Sequence, residues 1–382
     1  MKLLFILSTS LLISCNQNTH KSTILTAAKP PAMTANEQAT TQTQAPTLFL
    51  TEINQLTFAG KRSGEGYFSA DGTQLIFQSE RLNDNPFYQI FKMDLELGDV
   101  EMISNGIGKT TCSWIHPNGE QLLYASTHLD AEAKHKQLDE LDFRASGKER
   151  RYSWDYDENY DLFVKDSKGT QQLTTERGYD AEASYSADGQ WIAFSSNRNA
   201  YNAKAQNMSE AETKTFSIDP AFMMDIFIMK ADGTEVKQLT THKGYDGGPF
   251  FSPDSKKIVW RRFSADGMKA EIYTMNIDGN DKKQLTRTNN MSWAPFYHPS
   301  QKYIIYTSNK NGFANFELYI VDTAGKHQPI RASNMEGFDG LPVFTPAGDE
   351  LYWTRKKDNN NVSQIFRANW NHQAALKALN IK

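Results

Sequence analysis

Six short turns, evenly strung along the chain, constrain this sequence more than any other feature. They are SADG at Ser69, HPNG at His116, SADG at Ser186, SPDS at Ser252, HPSQ at His298 and TPAG at Thr345, spaced by 47, 70, 66, 46 and 47 residues. After each comes an apolar strand: QLIFQSE, QLLYAST, WIAFSSN, KIVWRRF, YIIYTSN and ELYWTRK. These are dense in β-branched and aromatic residues, as a strand packed on both faces is. A third segment follows (YQIFKMD, YDLFVKD, DIFIMKA, EIYTMNI, FELYIVD, SQIFRAN), in which polar and apolar residues alternate with the period of a strand. In several repeats a glycine turn such as Asp278-Gly279-Asn280 then leads to a short fourth strand ending in QLT. A meander of about 45 residues repeated in this way is the unit of a propeller. The pattern predicts an all-β fold, a six-bladed β-propeller with four-stranded antiparallel blades.

The sixth repeat lacks a fourth strand, but Ile53-Asn54-Gln55-Leu56-Thr57, upstream of the first repeat, matches KQLT at Lys237 and Lys283. An open ring would expose a sheet edge. The N-terminal strand is therefore expected to close the ring by completing the last blade. The resulting division is a signal peptide over 1–14, a tether over 15–47, the propeller over 48–371 and a short helical tail over 372–382.

The chain opens with Met1, Lys2 and an apolar run from Leu3 to Ile13, too short to span a bilayer and organised as a secretory signal. Leu12-Ile13-Ser14-Cys15 resembles the lipobox of bacterial lipoproteins, which implies lipidation of Cys15. An ordinary secretory peptide with a chance cysteine is the alternative. By resemblance to proteobacterial sorting, Asn16 points to the outer membrane, on the periplasmic side. Residues 16–47 are rich in Gln, Asn, Thr, Ala, Lys and Pro and have no apolar period, so they read as a flexible tether. Cys112, the other of two cysteines, reads as a small buried residue. A net charge of -4 on 382 residues offers no basic face for nucleic acid.

Taken together, the turns, the apolar strands, the "S-N-R" of Ser196-Asn197-Arg198 and the "I-Y-x-M-x-x-D-G…QLT" of Ile272 to Thr286 resemble the WD40-like repeat of TolB-type propellers and of prolyl-oligopeptidase relatives. FRASGKERRYSWDYDENYD, GYDGGPFFSPD, WAPFYHPS and GFANFELY look like a periplasmic subgroup often joined to a two-zinc aminopeptidase. No such domain follows here before Lys382, so no peptidase activity is expected.

Two features mark a site. Successive turns of a meander alternate between the faces of the ring. The SADG-type and Asp-Gly turns thus share one face, the turn face, and the two remaining loops of each blade share the other, the loop face. Insertions at about 127–159 and 197–224 lengthen the loop face, and long loops on a rigid scaffold are where recognition is placed. The first insertion carries Arg144, Lys148, Arg150 and Arg151 before Trp154, Asp155, Tyr156, Asp157 and Tyr160, content that suits a lid or peptide contact and equally a solvated helix-turn. The second feature is GYDAEAS, GYDGGPF and GFDGLPV at the entry to three blades, which puts Asp180, Asp246 and Asp339 at one ring position; Ser63, Thr110 and Ser292 occupy it elsewhere. The three carboxylates are expected near the channel mouth, binding a cation or an amino group, or else capping their own turns. Glu65 and Glu182, two residues further on, would add to the acidic mouth. Arg261 and Arg262 would pair with Asp246 or with a ligand carboxylate.

No HExxH and no G-x-S-x-G is present. A propeller lyase would draw its metal ligands from His128, His135 and His242, which sit in dissimilar loops. The sequence therefore reads as a non-catalytic, monomeric envelope lipoprotein without a cofactor, which binds a peptide, protein or envelope polymer on its loop face. The alternatives are an accessory gate for a separately encoded peptidase and, third, a metal-dependent enzyme.

Overall fold

The strand Leu50–Gln55 pairs antiparallel with Gln364–Trp370, Leu50 opposite Trp370 and Gln55 opposite Phe366. The first strand of the chain is thus the outermost strand of the last blade. The computed structural model describes residues 48–148, 155–202, 207–221, 223–335, 337–356 and 362–381; Cys15 and Trp154 lie outside them. Six sheets of four antiparallel strands make the ring. The innermost strands, blade by blade, are Arg62–Phe68, Thr110–Ile115, Ala181–Tyr185, Asp246–Phe251, Ser292–Tyr297 and Phe338–Phe344.

The second strands are the core. Tyr303–Ser308 and Leu122–Ser126 are buried at every residue, as their unbroken apolar runs require when sheets pack face to face. The Thr of each QLT repeat has a specific task. Its hydroxyl donates to a side chain at the start of the third strand: Thr57 to Gln364 at 2.7 Å, Thr174 to Asp161 at 3.2 Å, Thr240 to Asp225 at 3.0 Å and Thr286 to Glu271 at 2.5 Å. Ser104 and Ser333 do the same to Gln89 and Glu317, at 2.7 and 2.6 Å. The same oxygen accepts the next backbone N–H, as in Ile226 to Thr240 at 2.9 Å. A clasp of this kind ties the short fourth strand to the third without exposing a buried polar group. In the sixth blade Thr57 supplies it from the far end of the chain.

The turn face is stitched from blade to blade. His116 Nε2 meets the Gly189 carbonyl at 3.0 Å and His298 Nε2 meets that of Gly348 at 3.1 Å. Because His298 Nδ1 accepts the Ser300 N–H at 3.0 Å, Nε2 carries the proton. After Trp370 the chain forms a C-terminal helix, His372–Ala378, whose His372 ring stacks on His298 with centroids 4.3 Å apart.

Those insertions form α1, Ala133–Ala145, and α2, Glu210–Ile218. Helix α1 is pinned to the first two blades: Arg144 pairs with Glu80 at 2.7 Å, and Gln137 accepts the Gly108 N–H at 2.9 Å. Helix α2 starts at a capping box of Ser209 and Glu212, and Glu212 also pairs with Lys243. Tyr156 and Tyr201 join the insertions through their hydroxyls at 2.6 Å. None of the described helices is long and apolar enough to cross a membrane.

Candidate functional site

The three aspartates do not gather at the channel mouth. The backbone N–H groups of Asp180, Asp246 and Asp339 donate to carbonyls of the preceding blade, those of Tyr160, Met224 and Phe316, at 3.1, 2.9 and 2.9 Å. This turns the carboxylates into the seams between blades, where all three are buried. Asp180 accepts from Ser196 and Arg198, both at 2.5 Å. Asp246 takes a two-pronged pair from Arg262 at 2.7 and 2.6 Å, and Asp339 accepts from Trp353 Nε1 at 2.8 Å. The expected turn caps are therefore replaced by side-chain partners on the neighbouring strand. The motif has a steric reason. Gly244, at a φ of +137°, makes the bend, and a Cβ at Gly247 would overlap the Tyr245 ring lying over it. Of the two arginines, Arg262 takes Asp246, and Arg261 goes elsewhere.

In seams with a carboxylate on both sides the acids are pushed above the usual carboxylate range. Burial, then the neighbouring Asp180, pushes Asp161 up to about 6. Burial and Asp246 push Asp225 up to about 8. Burial, against the pull of their arginines, carries Asp180 to about 6 and Asp339 to about 7. A carboxyl whose folded pKa is raised stabilises the fold fully below its unfolded value near 4, and loses that contribution as the pH climbs through the folded value. The unfolding temperature should therefore fall as the pH rises from about 5 to about 8.5. Calorimetry at both pH values checks this, and a flat or rising profile contradicts it.

The residues that do line the channel lie two and four places further on. All six inner strands carry a register shift here. At each shift the residue is left-handed: Glu65, Cys112, Glu182, Gly248, Ala294 and Leu341, with φ between +47° and +59°. Five of these are not glycine, and that conformation costs roughly 1–2 kcal/mol each. The bulge re-aims the side chain, so the layer holds two carboxyls and one thiol. Arg261 Nη2 reaches Glu182 at 2.6 Å, where Tyr245, Ser195 and the Gly248 N–H also donate, at 2.5, 2.9 and 2.7 Å. Burial alone would push Glu182 up, but Arg261 and these donors hold it below its ordinary value. Glu65 has no such set: burial pushes it up to about 7, and Tyr67 donates to it at 3.3 Å.

Below this layer the channel is plugged by aromatic rings. Tyr67 packs on Trp114 with centroids 4.6 Å apart and on Phe250 at 5.4 Å; Phe250 meets Phe296 at 5.6 Å. On the turn side of the plug a funnel of about 280 Å³ opens. Every blade contributes to it: Trp114, Phe296 and Val343 make the floor, while Ala70, Pro117, Ala187, Pro253, Pro299 and Pro346 line the turns around it. The sequence showed the turns and their spacing but not that their second residues form one apolar rim. The signal was the run of Ala or Pro at that position in all six repeats.

Elsewhere, Asp155 is half-buried on the loop face. Trp293 packs against Phe316 and Phe338, at 6.2 and 6.0 Å. His128 contacts Ser126, His135 faces Asp139, and the His242 N–H donates to Asp225, so the three are not brought together. Among the described residues no group of three or more His, Cys, Asp or Glu side chains is placed to hold a metal.

Residues 210–380 match the family described as PD40, TolB beta propeller domain. A candidate TolB from Agrobacterium tumefaciens superposes with a TM-score of 0.55 at 16% identity, covering 84% of this chain and 97% of that one. An oligogalacturonate lyase from Vibrio parahaemolyticus gives 0.51 at 12% identity over 86% and 97%. A further oligogalacturonate lyase, in complex with manganese, gives 0.50 at 13% over 87% and 98%. At these identities the likeness is one of fold. A search of curated protein sequences finds no match.

Proposed function

We propose that this chain, a six-bladed β-propeller whose residues 210–380 match the TolB beta propeller family, is a non-catalytic binding module of the bacterial cell envelope. Its ligand is a peptide or protein partner that places a bulky apolar side chain in the funnel on the turn face. Lipidation of Cys15 holds it on the periplasmic side of the outer membrane. The observation that carries this reading is the funnel itself: an apolar concavity shared by all six blades. Its volume of about 280 Å³ lies just under the range of roughly 300–1,000 Å³ typical of small-molecule clefts. That size suits a single anchor residue of a protein interface, of the kind that dominates binding energy.

The loop face supports the reading less well, because Arg144, Gln137, Tyr156 and Glu212 of the insertions are spent on internal contacts. The non-catalytic character is supported by the channel acids. Glu182 is saturated by four donors, and Glu65 is screened from the funnel by the aromatic plug.

The test fills the rim. Ala70 and Ala187 are exposed at the second positions of tight turns, so Ala70→Trp and Ala187→Trp block the funnel without touching the core. Full-length protein should capture one dominant envelope protein by crosslinking, and the double variant should lose it at least about tenfold, a loss of roughly 1.4 kcal/mol. Equal capture by both would place the partner elsewhere. Incorporation of labelled palmitate, abolished by Cys15→Ser, tests the anchor.

A further inference from the structure

The turns that fringe the funnel are predominantly of one sign of charge. Over residues 69–73, 116–120, 186–190, 252–256, 298–302 and 345–349 they carry Asp71, Glu120, Asp188, Asp254 and Asp349 against Lys256 and Lys302. Asp71, Asp188 and Asp254 directly follow the rim residues Ala70, Ala187 and Pro253, and all three are exposed. They stand on the first, third and fourth blades. Asn118, Ser300 and Ala347 hold the same place, without charge, on the others.

Each of the three carboxylates is fixed by its own turn. The serine that opens the turn donates to Oδ1, at 2.6 Å for Asp71, 2.5 Å for Asp188 and 2.6 Å for Asp254. The backbone N–H groups of Thr73, Gln190 and Lys256 donate to the same oxygens at 3.1, 3.1 and 3.2 Å. Oδ2 takes part in none of these bonds. Lys256 Nζ lies 3.9 Å from Asp254 Oδ2, and no other ion pair to the three acids is formed among the described residues. The Ser69 hydroxyl and then Thr73 hold Asp71 below the usual carboxylate range, and at Asp254 burial is outweighed by Ser252 and the Lys256 N–H. A concavity with low-dielectric walls and one sign of charge at its mouth concentrates the field there. A side chain seated in the funnel brings its neighbours in the chain level with these turns. We propose that the partner is a basic segment: the funnel selects an apolar or aromatic anchor flanked by lysine or arginine and turns away one flanked by acids. This rests on the funnel being the binding site. Because the turns already hold the acids in place, little ordering is needed to present them. Charge complementarity of this kind acts mainly on the choice of partner and on the rate of encounter.

The experiment uses the full chain and synthetic peptides alike but for the residues flanking a central tryptophan: lysines, serines or glutamates. Calorimetry follows binding at about 0.02 M salt and at about 1 M, where the screening length falls to about 3 Å. At low salt the lysine peptide should bind about tenfold more tightly than the glutamate peptide, as a few exposed charge pairs supply, with the serine peptide between them. At high salt the three should converge. Asp71→Asn, Asp188→Asn and Asp254→Asn together should bring them to one affinity at low salt as well. Asn118 already makes the turn bond in the second blade, accepting the Glu120 N–H at 2.9 Å, so the substitution keeps the turn. The salt series on wild-type protein needs no variant and decides the matter if the substituted protein does not fold. The Ala70→Trp and Ala187→Trp double variant separates this proposal from the reading beneath it. If no peptide binds, or all bind the double variant undiminished, the funnel reading fails and the basic partner with it. If the double variant loses them but wild type binds all three alike, or the ranking survives removal of the acids, the funnel stands and the basic partner is wrong.

Discussion

Deleting residues 48–57 should abolish the cooperative unfolding transition and leave an aggregating chain. The segment does three things. Leu50–Gln55 covers the edge of Gln364–Trp370, which would otherwise be an open template for pairing with another chain. Phe49 and Leu50 are buried against the last blade, with Phe49 stacked on Trp370 at 5.6 Å, worth about 1.5–3 kcal/mol each. Thr57 satisfies both the Gln364 side chain and the Ile365 N–H, and a buried group left unpaired costs about 1–3 kcal/mol. The total is comparable to the roughly 5–15 kcal/mol by which a domain is stable. Circular dichroism melting and size exclusion check this, with Thr57→Val as the milder variant that should melt lower but still cooperatively. A monodisperse truncated chain melting with the full-length protein would contradict ring closure as a requirement.

Asp246→Asn should destabilise the protein by about 3 kcal/mol while leaving occupancy of the funnel unchanged. Asp246 is fully buried and both of its oxygens are held by Arg262. Removing its charge leaves a guanidinium in the seam between the third and fourth blades without its partner. The loss should shrink at alkaline pH, because Asp225 across the seam, which burial and then Asp246 push up to about 8, is relieved of a like charge once it ionises. Denaturant unfolding at about pH 6 and about pH 8.5 measures both parts. Replacing the pair together, as Asp246→Leu with Arg262→Met, should recover most of the stability. If Asp246→Asn melted like wild type but lost its partner, the aspartate would be a ligand group after all.

Asp246 also shows where the sequence stops being informative. The GYD and GFD motifs were legible as a shared ring position, and the position is real. Which way its side chain points depends on the parallel bridge between Met224 and Tyr245 of the neighbouring blade, which no local pattern encodes. Glu65 and Glu182 were visible as equivalent residues. Their different states follow from Arg261, which reaches Glu182 from the next blade, 79 residues away in the chain.

By itself the sequence determined the strands, the blade count and the closure of the ring, because these follow from local periodicity and turn chemistry repeated six times. It also determined the QLT position, although not the clasp that explains it. Only the tertiary structure decided which acids are ion-paired in seams and which face the channel, and that six unremarkable Ala and Pro residues form one funnel. The physical reason is that burial and charge pairing are set by side chains that meet across blades, at sequence separations where periodicity carries no signal.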